Sequence, residues 1–391
     1  MAGQIIKRSD NTYTVRVFQG RDGGKRVYLN YTVHGTKKDA ERKLTALLHD
    51  KDMGALVEPT RMSVNEYLDH WLTTMAPPTL RESTYRQYVA YLKRYVRPKL
   101  GSRRVAGLDP LALQELYAGM QARGLSPRTV RYTHEIVRTA LLQAVKWRML
   151  PQSPTAGVRL PQHRRVEIRA LTPDETHAFV TAAEADKHGT LFALALATGM
   201  RPGEYLGLRW GDVDLKAGTV RVVRALDTKP GPSWPRFTEP KTPHSRRMIP
   251  LPRTVTQSLQ EHRDRQRFAR EAAGPGWQDY DLVFTDERGA PLLIRTLVKN
   301  HFKRILKRAE LPDTVRLYDL RHSCATLLLG AGENIKVVSE RLGHASVRIT
   351  LDRYAHVLPD MQARAAERLE GLLFGSRGEH RHTIGTQTAG G

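Results

Sequence analysis

The spacing of hydrophobic positions changes period along this chain. From Tyr13 to Phe18, and again from Lys25 to Val33, apolar and polar side chains alternate. That is the period of a strand with one buried face. Arg21-Asp-Gly-Gly between the two runs reads as a turn, and a helix is predicted from Lys37 to about His49. Beyond residue 61 the period becomes helical. Ser63 and Glu66 have the spacing of a capping box. Val64, Tyr67, Leu68, Trp71, Leu72 and Met75 then recur on one helical face. Tyr85, Tyr88, Val89, Leu92, Tyr95 and Val96 form a second stripe. Asp109-Pro110 and Ser126-Pro127 each set a capping side chain before a proline at the first helical position. The aromatic stripes read as core and not as platforms for stacking bases.

The pattern becomes mixed after a break at Leu150-Pro-Gln-Ser-Pro-Thr and the basic stretch Pro161-Gln-His-Arg-Arg. Thr172-Pro173-Asp-Glu175 starts a helix, and Leu191–Thr198 is an apolar helix stopped at Gly199. Strands are predicted at Thr219–Ala225 and Arg246–Pro250, joined by a proline-rich loop from Thr228 to Pro243. Helices follow at Leu317–Leu329, Ile335–Leu342, about Ser346–His356, and Gln362–Phe374. The fold class expected is multidomain α+β. A small sheet-plus-helix unit spans 1–60, and a helical bundle with a basic linker spans 61–165. A mostly helical domain with a small sheet spans 166–375, and an aperiodic, disordered tail spans 376–391.

Composition narrows the function. The 391 residues hold 63 Lys and Arg against 40 Asp and Glu, a net charge of +23. A polyanion is the expected partner. The excess is uneven: residues 61–165 hold 18 basic and 6 acidic side chains, about half of it. A surface that tracks a phosphate backbone has this distribution. Cys324 is the single cysteine, so a disulfide framework is excluded. The start, Met1 to Asp10, lacks the apolar stretch of a secretory leader. The longest apolar run, Leu191–Ala197, falls far short of the ~20 residues that cross a bilayer. These features point to the bacterial cytoplasm and the nucleoid, with no membrane partner.

Several chemistries find no support. There is no cysteine pair for zinc and no GxxxxGK[ST] loop for ATP. No carboxylate cluster suggests a magnesium site, and His380 and His382 in the tail are a weak metal signal. No cofactor and no metal are expected. What stands out is an ordered series. Thr198-Gly-Met-Arg201-Pro-Gly-Glu204 follows the apolar helix. Tyr318-Asp-Leu-Arg321-His-Ser-Cys lies on a later one, and Leu342-Gly-His344 and Leu351-Asp-Arg-Tyr354 come after it. Taken singly, Arg201 reads as a surface ion pair, His344 as a helix cap and Tyr354 as a core tyrosine. Glu204 reads equally as a surface carboxylate or as a group orienting an arginine.

In this order the series resembles the catalytic pattern of the tyrosine recombinase, or phage integrase, family. That pattern is an Arg, a Lys on a β-hairpin, a His-x-x-Arg, a His or Trp, and a Tyr. Arg201, Lys241, Tyr318 with Arg321, His344 and Tyr354 occupy its places. The loop also offers Lys229. Lys241 is preferred because Pro240-Lys-Thr-Pro-His-Ser-Arg-Arg leads directly into a strand. Tyr318 stands where the family has His, which leaves the acceptor of the nucleophile's proton open. The resemblance covers almost the whole chain, with 1–60 similar to an arm-DNA-binding domain and 61–165 to a core-DNA-binding domain.

The resemblance implies an integrase of a phage or integrative element. Tyr354 would attack a DNA phosphodiester to give a 3′-phosphotyrosyl intermediate. Arg201, Arg321 and His344 would hold the phosphate, and Lys241 would protonate the leaving oxygen. The arginines are expected to favour the Tyr354 phenolate. The implied partners are double-stranded attachment sites, a homo-tetramer that exchanges strands through a Holliday junction, and accessory excision or bending factors. Leu369, Leu372, Leu373 and Phe374 would dock on a neighbouring protomer or pack on their own domain. The alternatives are a resolvase-type recombinase, a relaxing topoisomerase and a catalytically inactive DNA-binding relative.

Overall fold

The computed structural model describes residues 3–52, 60–75, 80–162, 169–229, 234–239, 246–354 and 361–374. It is mostly helical with small antiparallel sheets, and it divides into two compact units, residues 1–165 and 166–391.

In the first unit, β1 (Gly3–Ser9), β2 (Thr12–Asp22) and β3 (Lys25–His34) form one antiparallel sheet in that order. Alternation buries Val15 and Val17 against Ala40 and Leu47 of α1 (Lys37–Asp52). Asp22 pairs with Lys25, so Gly23 and Gly24 alone make the turn. Both have positive φ, 54° and 82°, as a two-residue turn needs to match the twist of its strands. The pattern does not announce β1. Its apolar side chains, Ile5 and Ile6, are adjacent, so no alternation is visible. It forms along the edge of β2, which offers it backbone partners from Thr12 to Val17.

The helical part of this unit comprises α2 (Val64–Thr74), α3 (Glu82–Tyr91), a π-turn at Leu92–Val96, α4 (Arg97–Leu100), α5 (Pro110–Ala122) and α6 (Pro127–Lys146). The capping box at Ser63 and Glu66 is present, and Asp109 and Ser126 accept hydrogen bonds from the first turns of α5 and α6. Val64, Tyr67, Leu68, Trp71 and Leu72 are buried in one core with Leu92, Tyr95, Val96, Leu113, Tyr117 and Ile136. Trp71 stacks on Tyr88 with ring centroids 5.9 Å apart, and the Tyr67 hydroxyl donates to the Ala140 carbonyl at 2.5 Å. The aromatic stripes are core.

The second unit begins with α7 (Pro173–Glu184), capped by Thr172 and Glu175, then α8 (Gly189–Thr198) and α9 (Pro202–Leu206). β4 (Val213–Asp214), β5 (Thr219–Val222) and β8 (Arg247–Pro250) form one sheet, with β5 in the centre. β6 (Ala225–Leu226) and β7 (Phe237–Thr238) form a separate ribbon. The strand expected over Thr219–Ala225 is therefore two strands with different partners. α10 (Arg253–Ala273) buries only Val255 and Leu259, so its apolar pattern is faint. After it come α11 (Ile294–Leu297), a π-turn at Val298–Phe302, α12 (Lys303–Arg308), α13 (Asp319–Gly330), α14 (Ile335–Leu342), α15 (Val347–Tyr354) and α16 (Met361–Phe374). Leu369, Leu372, Leu373 and Phe374 on α16 are exposed. Among the described residues no helix is long and apolar enough to cross a membrane. The tail at 376–391 lies outside the described residues.

Candidate active site

Helix α8 is almost wholly apolar and packs in the core of the second unit. It ends at Gly199, whose φ is +62°. A Cβ there would also stand 2.6 Å from the Leu342 side chain, so both conformation and space require glycine. The turn delivers Arg201 in extended backbone, with Pro202 next to it starting α9. Glu204, one turn on, accepts from the Arg201 backbone N–H at 2.9 Å and from its guanidinium at 2.8 Å. Arg201 thus makes the ion pair that its isolated reading suggests, yet its side chain remains 35% exposed.

Glu204 is no surface carboxylate. It is 5% exposed, and its Oε2, which also takes the Arg201 backbone N–H, accepts from Arg247 of β8 at 2.8 Å. Burial alone would raise this carboxyl, but Arg247 and Arg201 outweigh it and hold it below the ordinary carboxylate range. Arg247 also donates to the Arg341 carbonyl at 2.6 Å, which ties β8 to the end of α14. Arg247 escaped the sequence reading because it looks like any arginine leading into a strand.

Arg321 lies in the first turn of α13 and is 2% exposed. Its guanidinium donates to the Gly199 carbonyl at 2.6 Å and to the Leu342 carbonyl at 2.7 Å. These bonds join the end of α8 to the end of α14. Burial first, and the nearby Arg201 charge second, lower its pKa to about 10, so it remains a cation near neutrality. Arg201 also donates to the Gly343 carbonyl at 3.4 Å. Gly343, with φ +65°, ends α14 and turns the chain into His344.

His344 Nδ1 and the Thr350 hydroxyl are 2.7 Å apart. Burial, then Arg321 and Arg201, push its pKa down to about 3, so the ring is neutral. Tyr354, the last residue of α15, is 1% exposed and packs with Ala325, Leu329, Val338 and Leu342. Its hydroxyl is 2.7 Å from His322 Nδ1. Burial raises the Tyr354 pKa to about 12, although Arg321 acts in the opposite sense. Arg321 and Arg353 favour the phenolate, as expected, but desolvation of the charged form is the larger effect.

Tyr318 caps α13, is 36% exposed and meets the edge of the His322 ring at a centroid distance of 5.2 Å. The partner of the Tyr354 hydroxyl is thus His322, one residue past Arg321 in the same motif. Its adjacency to Arg321 on a helix was the available signal. Lys241 lies outside the described residues, and Lys229 is exposed on its loop. Among the described residues no group of three or more His, Cys, Asp or Glu side chains is arranged to hold a metal ion.

The described groups form a cationic cradle. Two guanidiniums and a neutral imidazole, from three separate segments, are fixed by the backbone turns at Gly199 and Gly343. A tetrahedral anion fits such donors, because guanidinium forks match its oxygens and stay charged. The buried hydroxyl of Tyr354 is coupled to the same cluster through Arg321.

Comparison with known proteins gives the context. Residues 169–361 match the phage integrase family, and residues 63–121 match the phage integrase N-terminal SAM-like domain. A tyrosine recombinase XerC-like protein of Caldanaerobacter subterraneus subsp. tengcongensis is 29% identical, over 94% of this chain and 98% of its own length. An integrase of Saccharopolyspora erythraea is 27% identical, over 88% of this chain and 91% of its own. Among solved structures, the Tn1549 transposon integrase in complex with transposon right end DNA aligns with a TM-score of 0.66 and 22% identity, covering 79% of this chain and 99% of that one. A lambda integrase dimer bound to a COC′ core site aligns with a TM-score of 0.56 and 18% identity, covering 83% of this chain and all of that one.

Proposed function

The chain belongs to the phage integrase family of tyrosine recombinases and is a site-specific DNA recombinase, and from that premise we propose that Tyr354 is its nucleophile. The Tyr354 oxygen attacks a DNA phosphorus and the 5′ oxygen leaves, giving a 3′-phosphotyrosyl enzyme. The phosphate gains negative charge as it becomes pentacoordinate. Arg201 and Arg321 meet that charge on the non-bridging oxygens, and neutral His344 donates a further hydrogen bond. Donors already fixed in place stabilise the transition state without reorganising. Lys241 supplies the proton to the leaving oxygen. Glu204 and Arg247 do not touch the phosphate. They hold Arg201 and the 341–344 turn in register.

The covalent link conserves the energy of the broken bond, so the 5′ hydroxyl of another strand can attack it and complete exchange without ATP or a metal. The observation that carries this reading is the double anchoring of Arg321 to the Gly199 and Leu342 carbonyls. It sets the ends of α8 and α14, and so Arg201 and His344, around one point. A resolvase-type recombinase, a topoisomerase or an inactive DNA-binding relative fits less well, given the N-terminal sheet and an intact Arg201, Arg321 and Tyr354.

We propose the rest of the reading from the family resemblance. The protein binds double-stranded attachment sites, with the basic helical unit gripping the core site and the N-terminal sheet unit binding separate arm sites. It acts as a homo-tetramer through a Holliday junction, with accessory bending factors, in the bacterial cytoplasm at the nucleoid. The test is capture of a nicked suicide duplex carrying the attachment site. The wild type forms a covalent protein–DNA adduct, and Tyr354→Phe binds the duplex and forms none. An adduct with Tyr354→Phe assigns the nucleophile elsewhere.

A further inference from the structure

The Tyr354 proton needs a destination, and Tyr318 is an unsuitable one: a half-exposed phenol whose ring touches His322. His322 is better placed. It is 3% exposed, and its Nδ1 lies 2.7 Å from the Tyr354 oxygen. The phenol is the more acidic partner, so its O–H donates and Nδ1 accepts. The imidazole sits on a rigid mount, because the preceding residue, Arg321, is bound to two backbone carbonyls. We propose that His322 Nδ1 is the proton acceptor for the Tyr354 hydroxyl during DNA cleavage, an inference that rests on Tyr354 being the nucleophile.

The step balances. The Tyr354 O–H bond breaks and its proton moves to Nδ1. The oxygen lone pair forms the bond to phosphorus, and the bond from phosphorus to the 5′ oxygen breaks. In rejoining, the imidazolium returns the proton as the tyrosine oxygen leaves. The surroundings make this base responsive to substrate. His322 is held neutral, with a pKa of about 4, by burial and by the charges of Arg353, Arg321 and Arg316, against the opposing pull of Asp319. A phosphodiester bound by Arg201 and Arg321 brings a negative charge that offsets those cations. It thereby raises the proton affinity of His322 when a proton must be taken up.

The test is single-turnover cleavage of the nicked suicide duplex by the full-length protein, with either oxygen or sulfur as the 5′ leaving atom. Sulfur leaves without an acid, so it relieves a lost general acid but not a lost base. His322→Asn keeps an amide able to hydrogen-bond Tyr354 in place of Nδ1 but cannot take up a proton. Its cleavage should fall about 100-fold or more on both substrates, with duplex binding and thermal midpoint near those of the wild type. His322→Ala should fall at least as far. Cleavage by His322→Asn within about threefold of wild type, or a defect removed by the sulfur substrate, overturns the proposal. Neither result touches the Tyr354 assignment, which Tyr354→Phe tests separately.

Discussion

The helical bundle of the first unit and the arginine cradle of the second are both buried, but by opposite means. The bundle removes apolar and aromatic faces from water: Tyr67, Trp71, Leu92, Leu113 and Tyr117 meet in one core, and the charge stays outside. The cradle buries charge. Arg321, Glu204 and Asp319 are all at most 5% exposed, and Arg247 is nearly so. Each survives because a partner group offsets the cost of leaving water. A hydrophobic core degrades by degrees when one member shrinks. A buried charge network leaves its remaining members unpaired. The bundle is therefore built to hold shape and present basic side chains, and the cradle to keep positive charge fixed at one point.

The largest effect expected from breaking this contrast is on chemistry. Arg321→Ala removes the cation that we propose meets the phosphate, and it frees the Gly199 and Leu342 carbonyls. Suicide-duplex cleavage should fall by about 10²–10³ or more, and the second unit should also lose stability. Cleavage within tenfold of wild type would contradict the cradle. Next come the paired substitutions Glu204→Ala and Trp71→Ala. Glu204→Ala leaves Arg247 buried without its carboxylate, at a cost of about 3–5 kcal/mol. Trp71→Ala opens a cavity of comparable cost, about 3–5 kcal/mol. Urea unfolding should show both losses. Cleavage by the residual folded protein should fall for Glu204→Ala and persist for Trp71→Ala. Equal effects on cleavage would erase the distinction.

Acid gives the smallest effect per side chain. His344, His322 and His188 in the second unit have pKa values lowered to about 3, 4 and 4 by burial. They are neutral when folded, whereas the unfolded chain takes up protons below the ordinary value near 6.5. Their contribution is complete above that value and is lost as pH falls through it toward the folded values. For His322 and His188 the loss is at most roughly 3 kcal/mol each. The bundle holds His134, also lowered by burial. Hydrogen exchange should show peptides of the second unit losing protection before those of the bundle as pH falls from neutrality. Simultaneous loss would show that the buried histidines do not set the difference.

The same contrast explains what was legible in the sequence. The bundle was readable because apolar burial repeats at helical spacing and the caps at Ser63, Asp109 and Ser126 are local. The family and its ordered series were readable because Arg201, Arg321, His344 and Tyr354 sit in distinctive local motifs. What escaped depends on distance along the chain. Arg247 meets Glu204 across 43 residues, and His322 meets Tyr354 across 32. No local spacing encodes such contacts. The net rise of the Tyr354 pKa is hidden for a related reason, since the sequence reveals the arginines that favour the phenolate but not the depth of burial that outweighs them. β1 and α10 escaped because an edge strand and a solvated helix carry little apolar pattern.

The central claim is that Tyr354 becomes covalently bonded to DNA through a 3′ phosphate. Its most direct test is mass spectrometry of the adduct trapped on the suicide duplex, after nuclease and protease digestion. The account predicts a nucleotide linked through its 3′ phosphate to the peptide containing Tyr354, and a free 5′ hydroxyl on the released strand. A nucleotide on Tyr318 or any other residue, or a linkage through a 5′ phosphate, would contradict it.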